Sequence, residues 1–389
     1  MLIRNRYAVI KSDKYLDAVV EHCPRLTNVI VENYRITPDA LRLLFQLPIE
    51  SFECLSVITC KVTAPYLKKI RVAYVEPFIG CKLLEDISVN KIITSISSEF
   101  PHGLFPNLKE LEVLYLTDVI CPHITKIRVR DNQLHLLAGL NLKKLIIDET
   151  TYGPMPAWTI LTQFKLKELV TWYFDNNLIK DMPLERLTIC ENSTVTPDIT
   201  VKHSTLKHLE LTRRCVIELD TPNLYHLSLN GCEFRTRVPD SVRILHVDTA
   251  MICPYINCNL HTLCINTFVT PSLLESLPQT LRYLTITPME HAYFDNFPYL
   301  PNLCLLTIFD QFTLTEKTLI DIARMPITNL YLDTASITDS NIHHLAAMPL
   351  NYLSIQIANI TVEGVKKIKH LPLRYLVLPP IPTHHFLQM

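Results

Sequence analysis

Three histidines lie at outward positions of successive repeating segments of the chain, and they are the first residues to consider for chemistry. His208, His226 and His246 each lie among the apolar residues of a short strand-like segment. If these segments are adjacent strands, about 4.8 Å apart, the three imidazoles approach one another, and imidazole is a common zinc ligand. His246, however, lies two residues further along its strand, and no fourth Cys or His is evidently placed beside it. A polar, solvent-facing surface is the simpler interpretation, so we predict no metal and no cofactor.

Sequence motifs for catalysis and nucleotide binding are absent. The chain has only 6 glycines, and neither a GxGxxG fingerprint nor a GxxxxGK phosphate loop can be written with them. HExxH and GxSxG do not occur, and no Cys is followed two residues later by Asp. We therefore predict that the protein is not an enzyme and has no catalytic residues.

Composition predicts a folded, soluble chain with no general attraction to polyanions. Hydrophobic residues make up 48% and charged residues 19%, and 37 basic side chains nearly balance 38 acidic ones, so no global field favours nucleic acid or an anionic membrane. Charged residues interrupt the N-terminal segment, and no apolar run reaches membrane-spanning length. The 12 cysteines occur singly without CxxC spacing, as expected for reduced thiols. We expect a cytoplasmic protein.

A repeat of the form apolar-x-x-apolar-x-apolar runs through the chain. Its copies recur about every 20 residues, and four consecutive copies, at 206, 224, 242 and 260, have equal spacing. The clearest copies start at residues 108, 142, 184, 206, 224, 242, 260, 281, 303, 350 and 373, and weaker ones at 26, 49, 67, 84, 124, 166 and 327. Chance placement of apolar residues does not produce such regularity, so the repeat must define the fold.

Each copy has the alternation of a short strand whose last two apolar residues face a core. Parallel stacking of successive strands closes that core, which gives a solenoid with a strand-lined face. The return limbs of short repeats have room only for extended chain or turns. Longer repeats share a second pattern, in which Thr opens and Pro closes a run with apolar residues three apart, and this predicts helices near 38–47, 316–325, 339–348 and 362–371. Helices should therefore occur mainly at the two ends.

The segment 337–355 resembles the leucine-rich-repeat superfamily, in particular its helix-bearing bacterial and F-box-associated types. Segments 238–245 and 277–284 are similar to the FNIP-type repeats of amoebae and giant viruses. The resemblance implies an α/β leucine-rich-repeat solenoid of about 18 repeats over residues 24–378, with the parallel sheet on its concave face and helices on its convex face. Residues 1–23 are expected to be an N-terminal capping segment with a helix over Lys14–Cys23, and residues 379–389 a C-terminal tail.

This resemblance implies a protein-interaction scaffold that binds a partner protein on its concave face. The alternative is the substrate-recognition subunit of a ubiquitin ligase whose docking module belongs to another chain. Outward positions of the early and middle repeats alternate in charge, which indicates either a salt-bridged, solvated face or a site for an acidic partner. These residues are Lys69, Arg71, Asp86, Glu110, Glu112, Lys126, Arg128, Arg130 and Lys144.

Outward positions of the last repeats carry tyrosines instead of mixed charges. Tyrosine is large, stiff and amphipathic, and it is enriched in protein interfaces. Aromatic residues also favour strands, so the rings could serve only the sheet. The predicted partner-binding residues are Tyr283, Phe309, Asn329, Tyr331, Asp333, Tyr352, Gln356 and Tyr375.

Overall fold

The computed structural model divides the chain into two compact units, Met1–Leu184 and Glu185–Met389. The residues that the structure describes are 2–4, 6–12, 16–32, 36–54, 62–72, 78–79, 81–89, 107–112, 123–148, 158–173, 175–190, 198–212, 215–234, 237–248, 259–266, 269–287, 293–294, 296–309, 313–333, 336–356 and 360–378.

The first unit is built on a parallel sheet. Its strands are β1 (Leu2–Arg4), β2 (Tyr7–Ile10), β3 (Asn28–Val31), β4 (Ser51–Cys54), β5 (Val62–Thr63), β6 (Lys69–Val72), β7 (Phe78–Ile79), β8 (Asp86–Val89), β9 (Glu110–Glu112), β10 (Lys126–Arg130), β11 (Lys144–Asp148) and β12 (Glu168–Thr171). From β2 to β12 they pair in chain order and in parallel, apart from β5 and β7, which pair with each other. At the N-terminal edge, β1 runs antiparallel to β2.

The second unit repeats this arrangement. Its strands are β13 (Arg186–Cys190), β14 (Asp198–Lys202), β15 (His208–Thr212), β16 (Cys215–Asp220), β17 (His226–Leu229), β18 (Cys232–Phe234), β19 (Ile244–Val247), β20 (Thr262–Ile265), β21 (Tyr283–Ile286), β22 (Tyr293–Phe294), β23 (Leu305–Ile308), β24 (Thr313–Leu314), β25 (Asn329–Leu332), β26 (Tyr352–Ile355) and β27 (Tyr375–Val377). The main sheet, β13-β15-β17-β19-β20-β21-β23-β25-β26-β27, is parallel throughout. The parallel stacking predicted from the repeat is therefore confirmed.

The alternation of side chains along each strand explains why these segments stack. In β17, Leu227 and Leu229 are buried, whereas His226 and Ser228 are half-buried on the other face. Removing one such leucine from water stabilises the fold by about 1.5–3 kcal/mol. The neighbouring strands also satisfy the backbone hydrogen bonds of β17, so apolar burial and backbone pairing favour the same register.

Short helices lie on the return limbs between strands. The α-helices are α1 (Leu16–His22), α2 (Pro38–Leu44), α3 (Asn176–Ile179), α4 (Pro271–Glu275), α5 (Glu316–Ala323) and α6 (Val362–Lys367), and 3-10 helices span Asp131–Leu137, Trp158–Gln163 and Ile342–Ala347. Thr37, Thr315 and Thr361 cap α2, α5 and α6, because each side-chain oxygen accepts a backbone N–H of the first turn. Helices at these three predicted places are confirmed.

At the fourth predicted place, the helix is of the 3-10 type and begins later than expected. The Thr338 hydroxyl lies 2.7 Å from the Ser340 hydroxyl, and the Thr338 N–H donates to Asn341 Oδ1 at 2.9 Å. The Asn341 amide in turn donates to the Ser336 carbonyl at 2.8 Å. These local bonds occupy the chain ahead of Ile342, so the threonine does not act as the cap that the pattern suggested.

Some described return limbs of the middle repeats are extended and others are helical, so repeat length alone does not decide between them. In the second unit β14, β16 and β18 form a small parallel sheet of their own. Cys215 and Cys232 face each other in it, with their sulfurs 3.2 Å apart and both thiols buried. The middle also holds α3, α4 and two 3-10 helices, which the sequence analysis did not predict.

The N-terminal segment contributes strands as well as a helix. β2 pairs in parallel with β3, the first strand that the sequence predicted, and β1 flanks β2 on its other side. Helix α1 lies within the expected range Lys14–Cys23, with Leu16 and Val19 buried. It packs against α2, so it occupies the place of a return limb.

Candidate protein-binding face

The sheet of each unit has one face in the core and another, here called the open face, formed by outward side chains. Counting from the first residue of a strand, the first and third residues point outward, and so does the fifth, which in the shorter strands follows the strand's end. The parallel pairings keep these positions in register between neighbouring strands, about 4.8 Å apart. Outward residues about 20 positions apart in sequence therefore become neighbours in rows across the sheet.

Three tyrosines form a continuous stack on the open face of the second unit. Tyr331 and Tyr352 have ring centroids 4.5 Å apart with an interplanar angle of 27°. The rings of Tyr352 and Tyr375 follow at 5.9 Å and 37°. Tyr375, on the last strand, is 66% exposed. We call these three residues the tyrosine strip.

The side chains of Tyr331 and Tyr352 are joined by a hydrogen bond. Burial raises the pKa of Tyr331, and the nearby Tyr352, which also forms a side-chain hydrogen bond with it, acts in the same direction. The phenol of Tyr331 therefore remains protonated at neutral pH, and its hydroxyl group is engaged with Tyr352 beside an apolar ring surface.

Tyr283 lies in the same row as Tyr352 but away from the strip. The register places Tyr283 opposite Leu305, Leu305 opposite Asn329, and Asn329 opposite Tyr352. Three strand spacings, about 14 Å, separate the two tyrosines. The sequence analysis did not single out Leu305, although its place immediately before the inward Leu306 already marks it as outward.

Phe309, Asp333 and Gln356 form the row at the fifth position. Their backbone N–H groups donate to the carbonyls of the preceding strands at 2.9, 2.9 and 3.1 Å, which holds them at equal height along the sheet. Phe309 and Gln356 are exposed, and Asp333 between them is half-buried. One carboxylate oxygen of Asp333, Oδ1, is inaccessible to solvent and has no hydrogen-bond partner.

Charged residues on the open face of the first unit are paired with one another. Lys126 Nζ lies 2.9 Å from Glu110 and 3.0 Å from Glu112, and Lys144 Nζ lies 2.5 Å from Glu168. Two further pairs join neighbouring strands: Arg128 with Asp148 at 2.8 Å, and Arg71 with Glu53 at 3.5 Å.

The pKa of Lys126 shows the effect of this pairing. Burial alone would lower its pKa, but the hydrogen bonds that Lys126 donates to Glu110 and Glu112 outweigh burial and raise it. Burial raises the pKa of Asp86, and the neighbouring charge of Glu110 raises it further. Of the two interpretations of this face, the structure supports the salt-bridged, solvated one.

The three histidines lie together on the open face of the second unit. Ring centroids of His208 and His226 are 5.5 Å apart, and those of His226 and His246 are 5.0 Å apart. The central Nε2, on His226, is buried without a hydrogen-bond partner. Burial, and then the neighbouring His246, His208 and Arg186, lower the pKa of His226 to about 4.

Neither a metal-binding cluster nor a membrane-spanning helix occurs among the described residues. In them no three His, Cys, Asp or Glu side chains are placed to share a metal ion. Over the same ranges, none of the helices combines the length and hydrophobicity needed to cross a bilayer.

Comparison with known proteins gives structural but not sequence relatives. No family model matches the chain, and no curated protein matches it. Among solved structures, CroV588, described as a circular LRR protein, has a TM-score of 0.44 at 13% identity over 97% of this chain and 63% of its own. An internalin from Listeria monocytogenes has a TM-score of 0.36 at 12% identity over 95% and 94%. Toll in its complex with Spatzle, from Drosophila, has a TM-score of 0.37 at 14% identity over 94% and 56%.

This chain thus spans less than two thirds of CroV588 and of Toll. Its fold is established by its own geometry. Repeats of about 20 residues each place one short strand in a parallel sheet, with two apolar residues in the core and a return limb behind. In its fold, the chain is a leucine-rich-repeat protein.

Proposed function

We propose that this protein is a non-catalytic scaffold that binds a partner protein on the open face of its second unit. The observation that carries the proposal is the tyrosine strip, whose rings stack across three adjacent strands and end at the largely exposed Tyr375. Aromatic rings in contact on a surface with few charges are typical anchors of protein interfaces. Toll bound to Spatzle, among the similar structures, is itself a protein complex.

The contrast between the two open faces supports this location. On the first unit, charged side chains are neutralised by neighbours, and such exposed pairs contribute little to binding. The tyrosine strip instead offers apolar ring surface together with phenolic hydrogen-bonding groups. That combination favours a partner surface with both apolar and polar groups, because tyrosine contributes large contact area at low entropic cost.

Affinity capture from the native cells, using the whole chain, tests the proposal. We expect Tyr352→Ala to reduce capture of a specific partner about tenfold or more, as truncation of an interface anchor does. Tyr299→Ala is the matched control, because Tyr299 is 58% exposed but lies in the segment before β23, away from the strip. It should capture the partner like the natural sequence.

Thermal unfolding of the same samples separates binding from stability. Tyr352 contacts a ring on either side, so its truncation should also cost about 1–2 kcal/mol of stability. If Tyr352→Ala lowers the melting temperature and leaves capture unchanged, the rings serve only the sheet and the proposal fails. Ubiquitin-ligase components among specifically captured proteins would favour the substrate-recognition role as the form that the scaffold takes.

A further inference from the structure

Asp333 has an unusual environment for a carboxylate on this face. It follows β25 at the fifth position, and its N–H donates to the Ile308 carbonyl at 2.9 Å. Its Oδ1 is inaccessible to solvent and has no hydrogen-bond partner. A buried carboxylate oxygen without a donor is costly, because it has lost its hydration without replacement.

Two other aspartates at the fifth position each have a hydrogen-bond donor for the carboxylate. Asp148 is the fifth and last residue of β11, and the Arg128 guanidinium donates to its carboxylate at 2.8 and 3.1 Å. Asp248, after β19, accepts the backbone N–H of Gly231. Both carboxylates thus find a donor within the chain. Of these three aspartates, only Asp333 has a buried carboxylate oxygen without a hydrogen-bond donor.

Among the described residues of the surrounding face, no positive charge compensates Asp333. Among the described outward residues of β20 to β27, at the first, third and fifth positions, Asp333 is the only charged residue. Its neighbours in the fifth row are Phe309 and Gln356, and the outward residue two positions before it is Tyr331. This part of the face therefore combines one negative charge with aromatic surface.

That combination has a specific chemical complement. An arginine guanidinium is positively charged and planar, donates hydrogen bonds to a carboxylate, and stacks on aromatic rings. Tyr331 and Asp333 are two residues apart on the same side of a strand, about 7 Å. A single arginine that reaches the carboxylate can therefore lay its side chain along the ring of Tyr331, where cation–π attraction adds to the ion pair.

We propose that the partner inserts an arginine between Asp333 and the tyrosine strip, pairing its guanidinium with the carboxylate and stacking against Tyr331. This inference rests on the proposed function and names the chemistry of the partner at that site. The recognised segment is then a basic one, bound where the chain itself supplies no counter-charge.

Selection from a random peptide display library against the whole chain tests the inference without knowledge of the partner. We expect the selected peptides to be enriched in arginine at one position. Replacing that arginine by citrulline, its uncharged analogue, should weaken binding about tenfold or more, and Asp333→Asn should do the same. Combining the two changes should weaken binding little more than either change alone, because both remove the same ion pair.

Asp248→Asn is the control for charge and position. It removes a carboxylate from the same row while keeping the oxygen that accepts the Gly231 N–H, so affinity should stay unchanged. Melting temperatures establish that each variant is folded, and Asp333→Asn should be at least as stable as the natural sequence, because it removes an unpaired charge.

The possible outcomes separate this inference from the proposed function. Peptides whose binding is lost in Tyr352→Ala but unchanged in Asp333→Asn would overturn the arginine inference and leave the binding face in place. Peptides unaffected by both changes would count against both. A selection that enriches no arginine, or no peptide at all, also contradicts the inference.

Discussion

His226 should make the stability of the fold depend on pH. Its ring lies between His208 and His246, with centroid distances of 5.5 and 5.0 Å, and Arg186 faces it from β13. Burial first, and then these positive or protonatable neighbours, lower its pKa from 6.5 to about 4. Burial likewise lowers the pKa of His246, opposed by the nearby charge of Glu210.

The sign and size of the effect follow from proton linkage. In the unfolded chain His226 takes up a proton as the pH falls below about 6.5, whereas in the folded chain it stays neutral until about pH 4. The unfolded state therefore binds more protons between these values, and stability falls as the pH is lowered through that range. A full shift of this size is about 3 kcal/mol. Since the ring is only half-buried, solvent screening reduces the expected contribution to about 1–2 kcal/mol.

The perturbation is His226→Asn, which removes the titrating group and keeps a polar side chain. Urea denaturation of both proteins at pH 7 and near pH 4.5 gives the free energy of unfolding in each condition. Carboxylates also change their protonation with pH in both proteins. The quantity to compare is therefore the loss of unfolding free energy between the two pH values, in the natural sequence and in the variant. We expect the natural sequence to lose about 1–2 kcal/mol more than the variant over this interval.

A matched substitution at an exposed histidine, His370→Asn, should leave the pH dependence of the natural sequence intact. Equal pH dependence in the natural sequence and His226→Asn would refute the reasoning. A nuclear magnetic resonance titration in which His226 takes up its proton near pH 6.5 would refute it as well.

Two further predictions concern the repeat itself. Leu227→Ala removes a side chain with 0% exposure from the core, and it should lower the free energy of unfolding in urea by about 2–5 kcal/mol; a loss below 1 kcal/mol would contradict close packing at that position. Thr315→Ala removes a cap whose oxygen accepts the Thr318 N–H at 3.1 Å and should cost about 1 kcal/mol. Thr338→Ala, where the hydroxyl does not cap a helix, should cost less in the same assay, and equal losses would show that the hydroxyl contacts are not what distinguishes the two sites.

The repeat strands could be predicted from sequence because the same physical requirement recurs in each copy. Leu227 and Leu229 must both face the core, and a shift of one residue would turn them toward solvent. The N-terminal strands lacked this signal. In β2 only Ala8 and Ile10 are buried, and a small residue followed by one large apolar residue is too short a pattern to recognise. Its pairing with β3 depends on tertiary context.

Helix type was less predictable than helix position. Thr315 and Thr338 stand in the same sequence pattern, yet only Thr315 caps an α-helix. The difference comes from neighbouring polar side chains, since Ser340 and Asn341 bind the hydroxyl and the N–H of Thr338. Short polar side chains compete locally with the backbone pattern of a helix, and the repeat alone does not encode the outcome of that competition.

The sequence identified outward residues but not which of them meet. Tyr331, Tyr352 and Tyr375 are brought together by strand register, whereas Leu305 and Asn329 separate Tyr283 from the strip. Contacts of this kind depend on which residues of adjacent repeats share a row. They also depend on the length of each return limb, which varies between repeats.

Inward and outward positions of this repeat are subject to different constraints. Inward residues must be apolar for the strands to stack, so their chemistry is nearly the same in every copy. Outward residues are not needed for the core, and in the first unit they still pair, as Lys126 does with Glu110. A place where packing, charge pairing and hydrogen bonding are not all satisfied is a candidate for function. Asp333 is such a place, because its unpaired Oδ1 costs stability and a positive charge from a partner beside the carboxylate would reduce that cost.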